Sequence, residues 1–379
     1  MYSQHDMKKI LALSVSLLML GGTAHAGVEE GKGAYAREDY AAAFREWHAT
    51  AEQGDAQAQY LLGKMYRSEM LWLPLDQDGT PSNNEALARG ARQVEKSAWQ
   101  LVPCGVGIFA PPSAPVDFQV RAKFPALAQV LFEKSAAQGD REAQYCLGVL
   151  KFAPLDARAP RDDVEAVKLF AASAAQGYGP AEFMLYEAYV EKRGGQKDPD
   201  SALRWLRSAA GHDDPVAQIA LGKANEYGLD MPRNPNEAAA WFEKAQGSEA
   251  PLRGAPKFEL GMLYFTCLGK LCDPARGISM WRTSAADGSL EARRLLGKIY
   301  LDGLTSRTGY EIAPDPVLAY VYLHAIGRPE GDDRALLARA AQSLKLQQMK
   351  QAEQIGKNLA EGVAAPERVS ALDAPKTAP

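Results

Sequence analysis

The chain has 379 residues, 46% of them hydrophobic, and a formal net charge of -4 at pH 7, which suits two or three ordinary domains or one repeat array. Alanine is abundant and Val/Ile/Thr runs at strand spacing are scarce, so packed helices are expected and a sheet protein is excluded. Basic and acidic residues are interleaved, with no Lys/Arg block able to track a phosphate backbone, which argues against nucleic acid as a partner.

The first element is the pattern of a secretory signal: Lys8 and Lys9, the apolar run Ile10 to Leu20, then Ala24-His25-Ala26 ahead of Gly27. Cleavage after Ala26 is expected. The run is too short to span a bilayer and no later stretch approaches 18 apolar residues, so no membrane span is expected. No cysteine stands at the cleavage point, so lipid attachment there is unsupported. The chain reads as a free periplasmic or secreted protein.

Behind the signal one unit recurs. Residues 47–63, 132–148 and 281–297 read WHATAEQGDAQAQYLLG, FEKSAAQGDREAQYCLG and WRTSAADGSLEARRLLG, and residues 170–185 and 206–222 vary the same string. A large apolar residue (Trp47, Phe132, Phe170, Leu206, Trp281) precedes an alanine by four positions (Ala51, Ala136, Ala174, Ala210, Ala285), which places both on one face of a first helix, helix A. A turn glycine follows (Gly54, Gly139, Gly177, Gly288). A second alanine (Ala58, Ala143, Ala181, Ala292) then opens helix B, which runs through Gly63, Gly148, Gly222, Gly261 or Gly297. The small residues predict close helix approach, and Tyr66, Tyr264 and Tyr300 are expected to fill the seam towards the next unit.

Helix A carries its own start signal at Asp198-Pro199, Asn234-Pro235, Asp273-Pro274 and Asp315-Pro316, with Glu237 expected to complete a capping box. Between residues 71 and 131 a degenerate repeat is expected, with a helix carrying Leu87, Ala91, Val94, Ala98 and Leu101 on one face, followed by an irregular Pro/Gly loop over 103–117. Anchors at 47, 94, 132, 170, 206, 242, 281 and 323 give about eight hairpins over residues 27–330. Residues 331–363 read as one capping helix and 364–379 as a disordered Pro/Ala-rich tail.

The core A-x-x-G-x-x-x-A-x-x-x-L-G, best kept at Ala51 to Gly63, Ala136 to Gly148 and Ala285 to Gly297, resembles the Sel-like repeat family, a relative of the tetratricopeptide repeats, over roughly residues 35 to 325. The resemblance implies an all-α, right-handed α-solenoid with a concave binding face, adaptor roles in secretion, envelope assembly or signalling, and no shared catalytic residues. The long turn over 247–256 departs from the pattern and leaves local stacking open.

Catalytic signals are missing. His48, His212 and His324 lie on separate repeats, no G-x-S-x-G occurs, and the Gly-Lys pairs at Gly31, Gly63, Gly222, Gly269, Gly297 and Gly356 lack the phosphate-loop glycine. No enzyme activity, metal or cofactor is expected. Trp47, Trp205, Trp241 and Trp281 lie at or beside the anchors and read as core, with a ligand cage as the alternative. Arg45, Lys168 and Arg204 share one helix A position and are candidate partner contacts, with an ordinary solvated face as the alternative. The even cysteine count of an exported chain favours disulfides; of three possible connectivities Cys267–Cys272 across an inter-repeat turn is expected, which would leave Cys104 to pair with Cys146, with free thiols as the alternative for both pairs.

The expected function is a non-enzymatic scaffold holding a protein or peptide. The alternatives are an envelope polysaccharide- or peptidoglycan-associated factor using exposed aromatics, and a hydrolase with its site near the 71–131 insertion.

Overall fold

A computed structural model describes residues 27–37, 39–67, 104, 124–153, 161–195, 198–247, 252, 254–268 and 271–366. The expected signal segment, the helix through Leu87 to Leu101, the 103–117 loop apart from Cys104 and most of the tail lie outside the described residues. Two compact units are present, Met1–Trp205 and Leu206–Pro379.

The first unit holds α1 (27–36), α2 (Tyr40–Glu52), α3 (Ala56–Arg67), α4 (Phe124–Ala137), α5 (Arg141–Phe152), α6 (Asp163–Ala174), α7 (Gly179–Val190) and the start of α8 (Pro199–Gly211). The second holds the rest of α8, then α9 (Pro215–Tyr227), α10 (Pro235–Gln246), α11 (Ala255–Thr266), α12 (Pro274–Ala286) and α13 (Leu290–Asp302). A small antiparallel ribbon, β1 (Leu304–Thr305) with β2 (Glu311–Ile312), leads to α14 (Pro316–His324), α15 (Gly331–Gln342) and α16 (Leu346–Ala360).

Two kinds of glycine build the hairpins. At the A–B turns Gly54, Gly139 and Gly288 have φ of 94°, 90° and 98° with open space around an added Cβ, so backbone conformation alone requires them. Inside helix B the backbone is helical and space is the constraint. Phe132 lies on Gly63 and Phe170 on Gly148 in the first unit; Phe242, Trp281 and Leu323 lie on Gly222, Gly261 and Gly297 in the second. A Cβ on Gly148 would stand 2.6 Å from Phe170 Cε1. Each of these five anchors thus seats on the helix B glycine of the preceding hairpin, and Phe132, Phe170 and Phe242 are fully buried.

The caps form largely as expected. Asp273 accepts from the backbone N–H of Arg276 at 2.9 Å, and Asp315 from those of Val317 and Leu318 at 3.0 Å. Asp198 accepts from the N–H of Asp200 at 3.1 Å. Half of the expected capping box forms: Asn234 Oδ1 accepts from the Glu237 N–H at 3.3 Å, but the Glu237 carboxylate accepts from the Asn234 side-chain amide at 3.1 Å, since the Asn234 backbone N–H donates to the Asn225 carbonyl at 2.8 Å. Tyr300 stacks on Tyr322 of the following helix and Arg276 lies over Tyr264, but Tyr66 packs edge-on against Phe44 of its own hairpin.

Three features mark the boundaries of the array, and the last departs from expectation. First, α4 begins at Phe124, inside the 71–131 stretch, and packs directly on α3: Ser135 donates to the Ala56 carbonyl at 2.7 Å and Gln138 to Gln59 at 2.9 Å. The seat on Gly63 is therefore occupied by Phe132, while the expected degenerate repeat between residues 71 and 131 lies largely outside the described residues. Second, the array begins earlier than the resemblance reached, since Trp47 lies on Gly31 of α1. Third, the single capping helix is two. A straight helix over 331–363 would extend about 1.5 Å per residue beyond what one hairpin covers. The break at Ser343 instead buries Ala340 of α15 and Ala352 and Leu359 of α16, with Gly356 against Val321 and His324.

Arg293 secures that end. Its buried guanidinium donates to the carbonyls of Ala285 at 2.9 Å, Ala325 at 2.7 Å and Leu359 at 3.0 Å, closing the C-terminal ends of α12, α14 and α16 together. Beside it, Arg294 holds Asp333 of α15 in a two-pronged pair at 2.6 and 2.7 Å.

Candidate interaction surface

The side chains that repeat from hairpin to hairpin are consumed by packing. The helix A anchors and alanines are buried, and the glutamines of helix B are tied to backbone: Gln59, Gln144 and Gln218 donate to the Ala51, Ala136 and Ala210 carbonyls at 3.2, 3.4 and 3.2 Å. These tethers were not anticipated from the sequence, although a glutamine eight residues beyond each alanine was there to be seen. Arg293 takes that same position after Ala285. In the first unit Gln176 donates to Gln144 Oε1 at 3.0 Å, so the tether also links neighbouring hairpins.

One helix A position that differs from hairpin to hairpin faces solvent. Arg45, Lys168 and Arg204 are exposed on α2, α6 and α8. Lys168 pairs with Glu165 at 3.2 Å and Arg204 with Asp198 at 3.6 Å, both exposed, solvent-screened contacts that hold the side chains only weakly. On α4 the same position, nine residues ahead of Gly139, is Val130, which is 46% exposed. The row therefore reads Arg, Val, Lys, Arg and is not uniformly basic. Leu127 (43%) and Val164 (56%) are exposed one turn earlier on α4 and α6.

The other candidate groups are placed as follows. Trp47 and Trp281 are 3% and 2% exposed, while Trp205 and Trp241, one residue ahead of their anchors, are half-buried. His48 stacks on Phe44 and His324 on Tyr320. His212 follows the end of α8. Among the described residues no three His, Cys, Asp or Glu side chains gather as a metal ion would require, and no helix is long and apolar enough to cross a membrane. Both cysteine pairs stand at disulfide distance, with Cα separations of 5.2 Å for Cys104 and Cys146 and 4.1 Å for Cys267 and Cys272.

One helix B position departs chemically from its equivalents. Four residues beyond the seating glycine stand Phe152, Phe265 and Leu301, but also Arg67 and Glu226. Both charged residues are buried, and among the described residues Arg67 Nε and Nη1 and Glu226 Oε2 have no hydrogen-bond partner. Burial pulls Arg67 down to about 10. Burial, and then the Glu259 carboxylate, push Glu226 up to about 7.

Comparison with known proteins agrees with this geometry. The Sel1 repeat family matches residues 56–72, 125–140, 141–178, 188–214, 215–245 and 290–326. Residues 246–289, with α11 and α12, fall outside the match, yet Trp281 of α12 seats on Gly261 of α11 as Phe242 does on Gly222. An uncharacterized protein of Neisseria meningitidis serogroup B is 30% identical over 269 residues, which is 65% of this chain and 54% of that protein. The chitin synthase regulator SKT5 of Saccharomyces cerevisiae is 24% identical over 228 residues, 59% of this chain and 32% of that protein. The matched region thus spans about half of one relative and a third of the other. Two solved structures share the fold. The Sel1 repeat protein of Oxalobacter formigenes has 21% identity and a TM-score of 0.51, covering 83% of this chain and 96% of that one. A protective antigen of uropathogenic Escherichia coli has 23% identity and a TM-score of 0.53, covering 95% and 73%. With repeats in both units seated through the same glycine and anchor positions, the chain belongs to the Sel-like repeat family and has its all-α solenoid fold.

Proposed function

We propose that this chain is an exported, non-enzymatic adaptor that binds a protein or peptide along the exposed face of its first helices. The observation that carries the reading is the division of labour within the repeat. Packing residues recur, whereas the exposed helix A position changes through Arg45, Val130, Lys168 and Arg204. Stacked hairpins presenting a variable row at fixed spacing build an extended contact surface rather than an enclosed pocket. The burial of Trp47 and Trp281 weighs against glycan binding through tryptophan. Export is supported by the basic, apolar and Ala24-His25-Ala26 zones and by the two cysteine pairs at disulfide distance.

The test uses mature protein as bait in envelope extract, beside a variant combining Arg45→Glu, Lys168→Glu and Arg204→Glu. A partner recovered by the native chain and lost by the variant, with both showing the same helical circular dichroism, supports the reading. Equal recovery by both overturns this face. N-terminal sequencing of protein from the envelope fraction should begin at Gly27, and an intact Met1 or Met7 in cytosolic protein overturns export.

A further inference from the structure

Glu226 occupies a position built for an apolar side chain. From the equivalent place Phe152 packs edge-on against the next anchor, Phe170, with ring centroids 5.7 Å apart, and Phe265 lies 5.0 Å from Trp281. Glu226 is 4% exposed in the same seam, where Phe242 of α10 seats on Gly222 of α9, and its Oε2 is buried without a partner. Among the described residues that oxygen has neither water nor a hydrogen-bond donor, which makes ionising the group costly.

The charges around it do not relieve this. Lys223, one turn earlier on α9, is committed to Glu259 of α11 at 2.7 Å. That leaves a second carboxylate, Glu259, 7% exposed, facing the first. Arg233, in the loop before α10, spends its Nε on the backbone carbonyl of Glu226 at 2.7 Å. Tyr227 lies outward, 59% exposed. On α10 the residues buried at the seam are Ala238 and Ala239, and its first-turn carboxylate, Glu237, is held by Asn234. Two acids therefore share one lysine and one partly occupied arginine.

We propose that Glu226 is a protonation-controlled joint in the second unit: as the neutral acid it lets α9 close on α10 and α11, and as the carboxylate it loosens that seam. The direction follows from linkage. An acid that binds its proton more tightly in the folded seam than in the open one stabilises the closed form below its ordinary value of 4.5. That contribution fades as pH rises towards about 7. The joint is closed in mildly acidic surroundings and opens through neutrality, opposite in sign to a salt-bridged surface carboxylate. The proposal rests on α9 to α11 alone and is independent of where the chain is located or what it binds.

Hydrogen–deuterium exchange of the full chain between pH 5 and 8, corrected for the intrinsic pH dependence of exchange, tests it. Protection of the 215–247 amides is expected to fall by roughly a hundredfold relative to those of α5. Glu226→Gln should flatten the dependence, and Glu226→Leu should raise protection at pH 8. Should either fold poorly, Glu259→Gln gives a second measure, since removing the neighbouring charge should shrink the loss and end it at lower pH. Constant protection in the native chain overturns the proposal, as does an unchanged pH slope in Glu226→Gln or Glu259→Gln.

Discussion

Trp47 donates its indole N–H to the carbonyl of Val28 at 3.2 Å, and Trp281 makes the corresponding bond to Phe258 at 3.1 Å. Val28 and Phe258 each lie three residues ahead of the glycine that seats the ring, Gly31 and Gly261. The 27–36 helix therefore serves as a helix B. Trp47→Phe should lower the stability of the first unit by about 1 kcal/mol through the lost bond, and Trp47→Ala by about 3–5 kcal/mol. Urea unfolding of both variants checks this, and a midpoint unchanged by Trp47→Ala would contradict the seating.

The close approach at Gly148 makes a second prediction. Ala is the better helix former by about 1 kcal/mol, but its methyl group would press into Phe170, and overpacking costs about 1–3 kcal/mol. Gly148→Ala should therefore be destabilising. Phe170→Leu in the same chain should recover part of that loss, giving a favourable coupling in a double-mutant cycle. Gly139→Ala, strained by its backbone at φ 90° and touching nothing, should show no such coupling to Phe170. Equal coupling at both glycines would remove the distinction between space and conformation.

The repeat was legible because packing demands small residues at fixed places, and Ala51 with Gly63 or Ala285 with Gly297 mark both sides of a helix contact. Gly31-Lys32 repeats Gly63-Lys64, and Ala26 and Gly22 stand at the offsets of Ala58 and Gly54, but both fall in the segment read as a signal, so the role of α1 emerged only from Trp47. Arg45, Lys168 and Arg204 are each exposed, and Val130, exposed as well, was equally readable at the same offset. The break at Ser343 was not legible, since Ala, Leu, Gln and Lys favour helix on both sides and the turn is decided by what α14 offers to cover. Nothing in the sequence sets Glu226 apart from a surface glutamate; its burial, and the seam contacts of the equivalent Phe152 and Phe265, do.

Arg293 replaces the glutamine tether of other repeats and serves three helix ends. Burial lowers its proton affinity, so the charge is held there at some cost that the three carbonyls offset. Arg293→Gln should keep the contact to Ala285 and orphan the Ala325 and Leu359 carbonyls. The expected loss is about 2–4 kcal/mol from two charge-assisted bonds, with α16 showing the largest gain in amide exchange. A uniform rise across α12, α14 and α16 would mean that the tether to Ala285 had failed as well.

The two cysteine pairs should respond differently to reductant. Cys104 and Cys146 are 2% and 0% exposed, 42 residues apart in sequence, and lie within the core formed by Trp47, Phe132 and their neighbours. Cys272 is exposed and Cys267 half-buried at the other pair, five residues apart. Reduction needs thiolate access to sulfur, so graded dithiothreitol under native conditions should release Cys267 and Cys272 first. In the chain-entropy model the short loop contributes about 2 kcal/mol and the long one about 4 kcal/mol, so the first reduction should shift the melting temperature less than the second. Differential alkylation followed by peptide mapping gives the order. Simultaneous release of all four thiols would show that the long-loop bond is no better shielded than the short one. Free thiol at Cys267 and Cys272 in protein taken directly from the periplasm would remove the staple itself, and with it one support for export.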